Sequence, residues 1–267
     1  MSFGLGRGRE LDDAPGTIGV APLDYPPLPD SIGTDPESGR LDPRAWFADP
    51  KRPFEIEIGC GKGSFILQET LSRPGTNFLG IEWAREFYLY AADRLRRAMR
   101  TNVRMLHADA TDYVRWRCPD ACADVVHLYF SDPWPKRKHH KNRVVQHRSL
   151  AEIWRVLRPG GELRIVTDHD ELWVWDQEHI KVWTDAEAWT GWIVSGRKAN
   201  PDSGGAPVPE RLIPMLTMDQ APFELLPFTP PEWAEEGETV ATNYEKKMCV
   251  EGKTPHAGVL RKAKNEA

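Results

Sequence analysis

An apolar strand runs directly into a glycine-rich turn in the segment Phe54-Glu55-Ile56-Glu57-Ile58-Gly59-Cys60-Gly61-Lys62-Gly63. Phenylalanine and isoleucine alternate with glutamate before the glycines, and a helical pattern begins at Ser64. Glycines at such a junction allow positive φ and let a ligand approach the backbone at the helix N-terminus. The segment therefore predicts a strand, a ligand-binding turn and a helix in immediate succession.

The alternation of strand and helix continues downstream. We predict strands at 54–58, 78–81, 103–106, 124–130 and 162–166, helices at 64–71, 84–100 and 143–157, and a last strand within 239–250. This order is typical of an α/β fold with a doubly wound, Rossmann-like sheet, mostly parallel with an antiparallel C-terminal strand. Ligands of such sheets bind at the carboxyl ends of the strands. The tryptophans between residues 171 and 192 are predicted to pack in the core.

Two segments lack this periodicity. Residues 1–45 are rich in Gly, Pro and Asp and predict a flexible N-terminal arm, extended or disordered. Residues 196–210 predict a loop insertion at the surface. The rest of the chain, 46–267, is predicted to form a single domain around that insertion.

Composition excludes several classes of protein. A hydrophobic content of 40% and a charged content of 28% are ordinary for a soluble globular chain. No segment approaches the roughly 18 consecutive apolar residues that cross a membrane, and the N-terminus lacks an apolar secretory core, so we expect a cytoplasmic protein without membrane contact. The cysteines form no CxxC pair, which predicts free thiols and no metal site: they are Cys60, Cys118, Cys122 and Cys249.

Acidic residues accompany the ends of the first four predicted strands. Glu57 precedes the glycines, where it would repel a pyrophosphate but attract the amino group of an amino-acid-like ligand. The GxGxG spacing also departs from the GxGxxG of dinucleotide sites, and both details favour S-adenosylmethionine over a nicotinamide cofactor. The glycines that would approach it are Gly59, Gly61 and Gly63.

The next two acids suit the nucleoside part of that cofactor. Glu82 is placed to accept hydrogen bonds from both ribose hydroxyls, although an ordinary acid at a strand end remains the alternative. Asp109 could accept from the adenine amino group, with Ala108 and Ala110 leaving room for the ring. Because the carboxyl ends of parallel strands converge, these acids together with Asp132 predict one S-adenosylmethionine site.

A cationic run follows Asp132 in Asp132-Pro133-Trp134-Pro135-Lys136-Arg137-Lys138-His139-His140-Lys141-Asn142-Arg143. The next acid is Glu152, although the whole chain carries a net charge of -5. A local cationic patch on an acidic chain favours a polyanionic partner, and a merely solvated surface is the alternative. We expect His139 and His140 to face solvent within this patch.

These residues resemble the bacterial tRNA (guanine-N7-)-methyltransferases, a family of class I enzymes that use S-adenosylmethionine. The similarity extends from about residue 53 to 252, and its most specific part is DPWPK with the basic residues after it. The matching motifs are EIGCGKG, GIEW, DPWPKRKHHKNR, LRPGG, Thr167-Asp168 and Thr242-Asn243-Tyr244-Glu245.

The resemblance implies methyl transfer to N7 of a guanine in tRNA, in the variable loop. The sequence leaves open whether the chain is a monomer or a homodimer. It implies that Glu57, Glu82, Asp109 and Asp132 contact the cofactor, with Asp132 also catalytic. The residues implied to bind tRNA or its target guanine are Lys136, Asp168, Thr242, Asn243, Tyr244 and Glu245.

Guanine N7 has a lone pair and no proton, so Asp132 would supply negative potential where positive charge grows on the purine. Asp168 and Glu245 could accept from the guanine N1-H and amino group; a helix cap near Asp170 and a strand salt bridge are their alternatives. The cations predicted to contact phosphates are Lys136, Arg137, Lys138, Lys141 and Arg143.

Other functions remain open at this point. The chain could be a class I methyltransferase acting on a small molecule or a protein. It could also be a nonenzymatic RNA-binding protein with a degenerate methyltransferase fold. A nicotinamide-dependent oxidoreductase fits the glycine spacing least.

Overall fold

The computed structural model describes residues 5, 8–195, 208, 210, 213, 220–242, 245, 248 and 253–263. Within these residues one seven-stranded sheet has the order β3-β2-β1-β4-β5-β7-β6. The strands are β1 (Phe54–Ile58), β2 (Asn77–Glu82), β3 (Val103–His107), β4 (Ala123–Tyr129), β5 (Leu157–Thr167), β6 (Phe223–Leu226) and β7 (His256–Lys262).

The first five strands are parallel, while β7 runs antiparallel to β5 and β6 antiparallel to β7. Every residue of β1 and β2 is buried, as expected for parallel strands covered on both faces. The connecting helices are α1 (Ser64–Ser72), α2 (Arg85–Arg97), α3 (Ala110–Trp116), α4 (His147–Val156), α5 (Asp170–Thr184) and α6 (Ala186–Val194). The predicted fold class is confirmed.

The strand order reverses at β1. The chain moves from β1 outward to β2 and β3, then returns to place β4 on the other side of β1. Such a switch point opens a crevice at the carboxyl ends of the strands, which we call the carboxyl edge.

The predicted turn between α4 and the next strand lies inside β5. Ala123 pairs with Leu157 and Val125 with Glu162, so four residues of β5 bulge out between these pairs. A Cβ atom on Gly161 would lie 2.9 Å from the Asp124 carbonyl oxygen, which explains why glycine occupies this bend.

The tryptophan prediction is confirmed, whereas that of the last strand is wrong. Trp183 and Trp189 are fully buried with ring centroids 5.0 Å apart. Residues 239–250 contribute no strand among those described; β6 and β7 flank them in sequence, and β7 pairs with β5 so that His256 lies opposite Thr167.

The N-terminal arm, expected to be flexible, makes fixed contacts over its described part. Ile18 is 1% exposed, and its carbonyl accepts from Met105 N at 2.8 Å while Val20 N donates to Met105 O at 3.0 Å. Leu41 N donates to Arg117 O at 2.8 Å. A Gly- and Pro-rich composition concealed these contacts because backbone pairing with a sheet needs few apolar side chains.

Candidate active site

The predicted cofactor residues converge on the carboxyl edge. Glu57 lies in β1 and Glu82 ends β2, while Asp109 and Asp132 follow β3 and β4. The strand ends are level, since Ile58 pairs with both Ile81 and Leu128. The structure therefore brings these acids to the carboxyl edge of the sheet.

The glycine turn is a left-handed backbone segment tied to Glu82. Gly59, Gly61 and Gly63 have φ of 71°, 53° and 65°, a region that strains other residues. Glu82 Oε2 accepts from Gly61 N at 2.7 Å and Oε1 accepts from Ala84 N at 2.8 Å. Apart from the adjacent residues in the chain, no atom of the described residues lies within 4 Å of a Cβ built on Gly59 or Gly61, so the turn has open space beside it for a ligand.

Glu57 is a buried acid with incomplete hydrogen bonding. Its Oε2 has no hydrogen-bond partner among the described residues. Burial, reinforced by the charges of Glu69 and Glu82, raises the pKa of Glu57 to about 8, although a hydrogen bond from the Ile66 amide acts in the opposite direction. A buried acceptor of this kind suits a ligand that brings a cationic donor, such as an ammonium group. The site thus fits the amino-acid end of S-adenosylmethionine.

A partly buried ionic network surrounds Glu55, two residues before Glu57 in β1, and sequence analysis missed it. Arg73 donates to both oxygens of Glu55 at 2.6 and 2.7 Å, and His127 Nε2 lies 2.8 Å from Glu55 Oε2. Burial opposes ionisation of Glu55, but the bonds from His127 and Arg73 outweigh it and lower its pKa to about 2. Arg73 also bonds Glu69, whose Oε1 accepts from Trp233 Nε1 at 3.1 Å. The network therefore connects β1, β4 and α1 to the C-terminal segment.

Asp109 has a local structural partner. Its Oδ1 accepts from Thr111 N at 2.8 Å, Thr111 Oγ1 at 2.6 Å and Asp112 N at 3.1 Å, so it caps α3. The side chain is exposed, and the half-buried Ala110 begins α3. Its spacing to Thr111 and Asp112 is the signal that could have predicted the cap.

Asp132 is exposed in a segment with unusual backbone angles. Phe130 and Trp134, neither of them glycine, have φ of 52° and 45°. Phe130 N still donates to Val166 O at 2.8 Å, which continues the β4–β5 pairing by one residue. Left-handed angles at ordinary residues are costly and concentrate at functional sites, so this segment is a strong candidate.

The basic segment, residues 136–143, contains a 3-10 helix at Arg137–Asn142 and has two faces. Its exposed cations are Lys136, Arg137, Lys138 and Lys141. Arg143, by contrast, is 2% exposed, so the prediction that it contacts phosphate is wrong. His139 and His140 are half-buried and do not face solvent freely; the ring centroid of His140 lies 5.5 Å from that of Trp175.

Asp168 follows β5 directly and is half-buried. The cap of α5 is His169, whose Nδ1 accepts from Leu172 N at 3.2 Å, so the capping alternative for Asp168 is removed.

Glu245 has a different role from the one expected. It is fully buried, and its two oxygens accept from the backbone amides of Thr239 and Val240. These bonds fix a turn, and the complete burial of the side chain keeps both oxygens inaccessible to a guanine. Thr242 Oγ1 accepts from Glu245 N at 3.1 Å, whereas Asn243 and Tyr244 lie outside the described residues.

Three cysteines, Cys60, Cys118 and Cys122, are buried free thiols, and Cys249 lies outside the described residues. In the part of the chain that the structure covers, no three His, Cys, Asp or Glu side chains are grouped to hold a metal. The helices of that part are also too short or too polar to cross a membrane.

A doubly wound sheet with a left-handed glycine turn and an unsatisfied carboxylate at the switch point defines a class of proteins that bind a nucleoside-containing ligand at the carboxyl edge. The sequence model of a family described as "Putative methyltransferase" matches residues 51–191. The chain belongs to this family.

Known relatives add detail. A tRNA (guanine-N(7)-)-methyltransferase of Rhodopirellula baltica is 44% identical over 122 residues, which is 44% of this chain and 45% of the relative. A second tRNA (guanine-N(7)-)-methyltransferase, from Nitrobacter hamburgensis, is 37% identical over 150 residues, which is 56% of this chain and 58% of the relative. The chain thus spans about half the length of the curated relatives it matches. The crystal structure of a 16S rRNA methyltransferase, KamB, is similar at a TM-score of 0.47 and 14% identity, over 89% of this chain and 94% of that one.

Proposed function

We propose that this chain transfers a methyl group from S-adenosylmethionine to N7 of a guanine in tRNA, in the variable loop. One observation carries the proposal: a buried carboxylate with an unpaired oxygen and an exposed cationic segment lie at the same edge of the sheet. The first suits a cationic amino-acid ligand and the second suits a polyanion. The names of the relatives favour guanine N7 and tRNA, which would place the reaction in the cytoplasm.

Each acid of the carboxyl edge would bind a different part of the cofactor. Glu57 would pair with the ammonium group of the methionine part. Each oxygen of Glu82 uses one lone pair for a backbone amide and retains another for a ribose hydroxyl. Asp109 and Ala110 would lie beside the adenine. When bound, S-adenosylmethionine supplies an electrophilic methyl group and leaves as a neutral thioether.

Asp132 acts by position and charge. Guanine N7 offers a lone pair and no proton, so the chain needs no general base. The charge of Asp132 instead stabilises the positive charge that the purine acquires as the N7–carbon bond forms. The left-handed backbone at Phe130 and Trp134 supports this role, because costly conformations of this kind concentrate at functional sites.

The tRNA would contact the outer face of the basic segment. Exposed lysines and an arginine there suit phosphates, which set register without selecting a base. Asp168 would accept from the guanine N1-H and amino group, a donor pair that adenine lacks. Thr242 and residues 243 and 244 would contribute to tRNA binding next to the turn that Glu245 fixes.

The direct test is methyl transfer by the full chain from isotopically labelled S-adenosylmethionine. We expect label in a tRNA transcript, at a site that N7-methylguanine-specific strand scission maps to the variable loop. Free GTP and unrelated protein serve as acceptor controls. Preferential label in either control would favour the small-molecule or protein alternative. Absence of cofactor binding in calorimetry, together with retained tRNA binding, would favour a nonenzymatic RNA-binding protein.

A further inference from the structure

Arg143 is the cation of the basic segment that faces inward. Its side chain is 1% exposed, although four other cations of the segment are exposed. A guanidinium in this position cannot reach a phosphate without leaving its partners. Its function must therefore lie in what it contacts inside the protein.

Arg143 joins the loop after β4 to the start of α5, and these two segments contain or follow the residues proposed to bind the guanine. Its Nε donates to the carbonyl oxygen of Pro133, next to Asp132, at 2.9 Å. Its Nη2 donates to Glu171 Oε1 at 3.0 Å, in the first turn of the helix that follows Asp168. One planar guanidinium thus bonds the loop after β4 and the start of α5 at once.

The surrounding contacts hold this bridge in place. The guanidinium carbon of Arg143 lies 5.0 Å from the centre of the Trp175 ring, a cation–π distance. Trp175 Nε1 in turn donates to Val145 O at 2.7 Å, and Gln146 Nε2 donates to the carbonyl oxygens of Lys141 and Arg143. The C-terminal end of the basic segment is therefore held against α5, while the other cations of the segment remain exposed.

We infer that Arg143 is a positioning residue that fixes the Asp132 loop relative to the Asp168 end of β5, and does not bind phosphate. This inference rests on the proposed function. In the proposed function, Asp132 stabilises charge on the reacting purine and Asp168 binds the Watson-Crick edge of the same base. The distance between the loop after β4 and the end of β5 therefore sets the alignment of N7. A misplacement of about 1 Å can cost on the order of 100-fold in rate. Lysine cannot replace arginine here because its single nitrogen lacks the planar fork.

The test compares Arg143→Lys with Lys138→Ala, measuring single-turnover rate at saturating tRNA, tRNA affinity and its salt dependence. Arg143→Lys should lower the rate by roughly 10- to 100-fold and leave tRNA affinity and salt dependence unchanged. Lys138→Ala should weaken tRNA affinity and reduce its salt dependence, since an exposed lysine contributes to phosphate binding. Arg261→Lys is the control, because Arg261 likewise donates from Nε and Nη2, here both to Glu162 Oε1 in the middle of β5, away from the Asp132 loop.

Each outcome decides the question. An unchanged rate for Arg143→Lys, or a weaker salt dependence with an unchanged rate, would overturn the inference. If Arg143→Lys does not fold, Glu171→Ala replaces it, because that side chain is 59% exposed; it should lower the rate in the same way, and a wild-type rate would overturn the inference. Failure of the wild-type chain to methylate tRNA would instead refute the proposed function.

Discussion

The two sides of the crevice are built differently. On the β1–β2 side, Glu57 and Glu82 are buried, and Glu82 is bonded to the backbone of the glycine turn. On the β4–β5 side, Asp132 and Lys136 are exposed on a loop. The first side is formed by the sheet itself and needs only a small ligand. The second is an exposed loop, which is the surface that the proposed tRNA would contact.

The largest effect is expected on the loop side. Asp132→Ala should lower the single-turnover methylation rate by about 100-fold or more, because it removes the charge opposite the developing purine cation. Cofactor and tRNA affinities, measured separately by calorimetry and filter binding, show whether the loss lies in the chemical step. A near-wild-type rate at saturating substrates would rule out the catalytic role.

A smaller effect is expected on the sheet side. Glu57→Gln should weaken S-adenosylmethionine binding by about 10- to 100-fold, since it removes a charged hydrogen bond.

This change should also alter proton release. The pKa of Glu57 is about 8 in the free protein, so at pH 7 the group is protonated and must ionise to pair with an ammonium. Cofactor binding should therefore strengthen as pH rises towards 8 and release about one proton at pH 7. Calorimetry in buffers of different ionisation enthalpy measures this release, and equal release by Glu57→Gln would contradict the assignment.

The basic segment should contribute through its exposed face. Replacement of Lys136, Arg137 and Lys138 by Ala should weaken tRNA binding by about 10-fold near physiological salt and reduce the slope of log affinity against log salt by about two to three. Cofactor affinity, which depends on the other side of the crevice, is the internal control. An unchanged slope would exclude these cations from the RNA interface.

The smallest effect concerns stability. Asp109→Ala should lower the free energy of unfolding by about 1 kcal/mol through loss of the α3 cap, whereas Asp109→Ser should retain most of it. Urea unfolding measures the difference. If both variants bind the cofactor like the wild type, Asp109 serves the helix alone.

Sequence patterns predicted the parallel part of the sheet well because each strand is apolar, and the first, second and fourth are followed by a helical period; α3, after β3, was not predicted. β1 was predicted with its observed bounds, and α1 within one residue. The C-terminal strands were missed because β7 pairs with β5 across about 90 residues of chain, a partner that local periodicity cannot reveal.

The sequence predicted which residues lie at the site, but it did not predict how buried each side chain is. Glu57 was expected to meet an amino group, but its burial and the network around Glu55 depend on α1 and β4 folding over them. Arg143 was misassigned because a run of charges suggests a uniformly solvated surface. Its inward direction follows from the extended backbone after the 3-10 helix and from the contact with Trp175, neither of which the charge pattern indicates.

The pairing of residues 18–20 with Met105 has a consequence for handling the protein. Without it, the outermost parallel strand would present bare amides and carbonyls to solvent, a template on which another molecule could add a strand. Shortened versions that lose these residues should polymerise on concentration, so light scattering offers a simple check of where the chain can be trimmed.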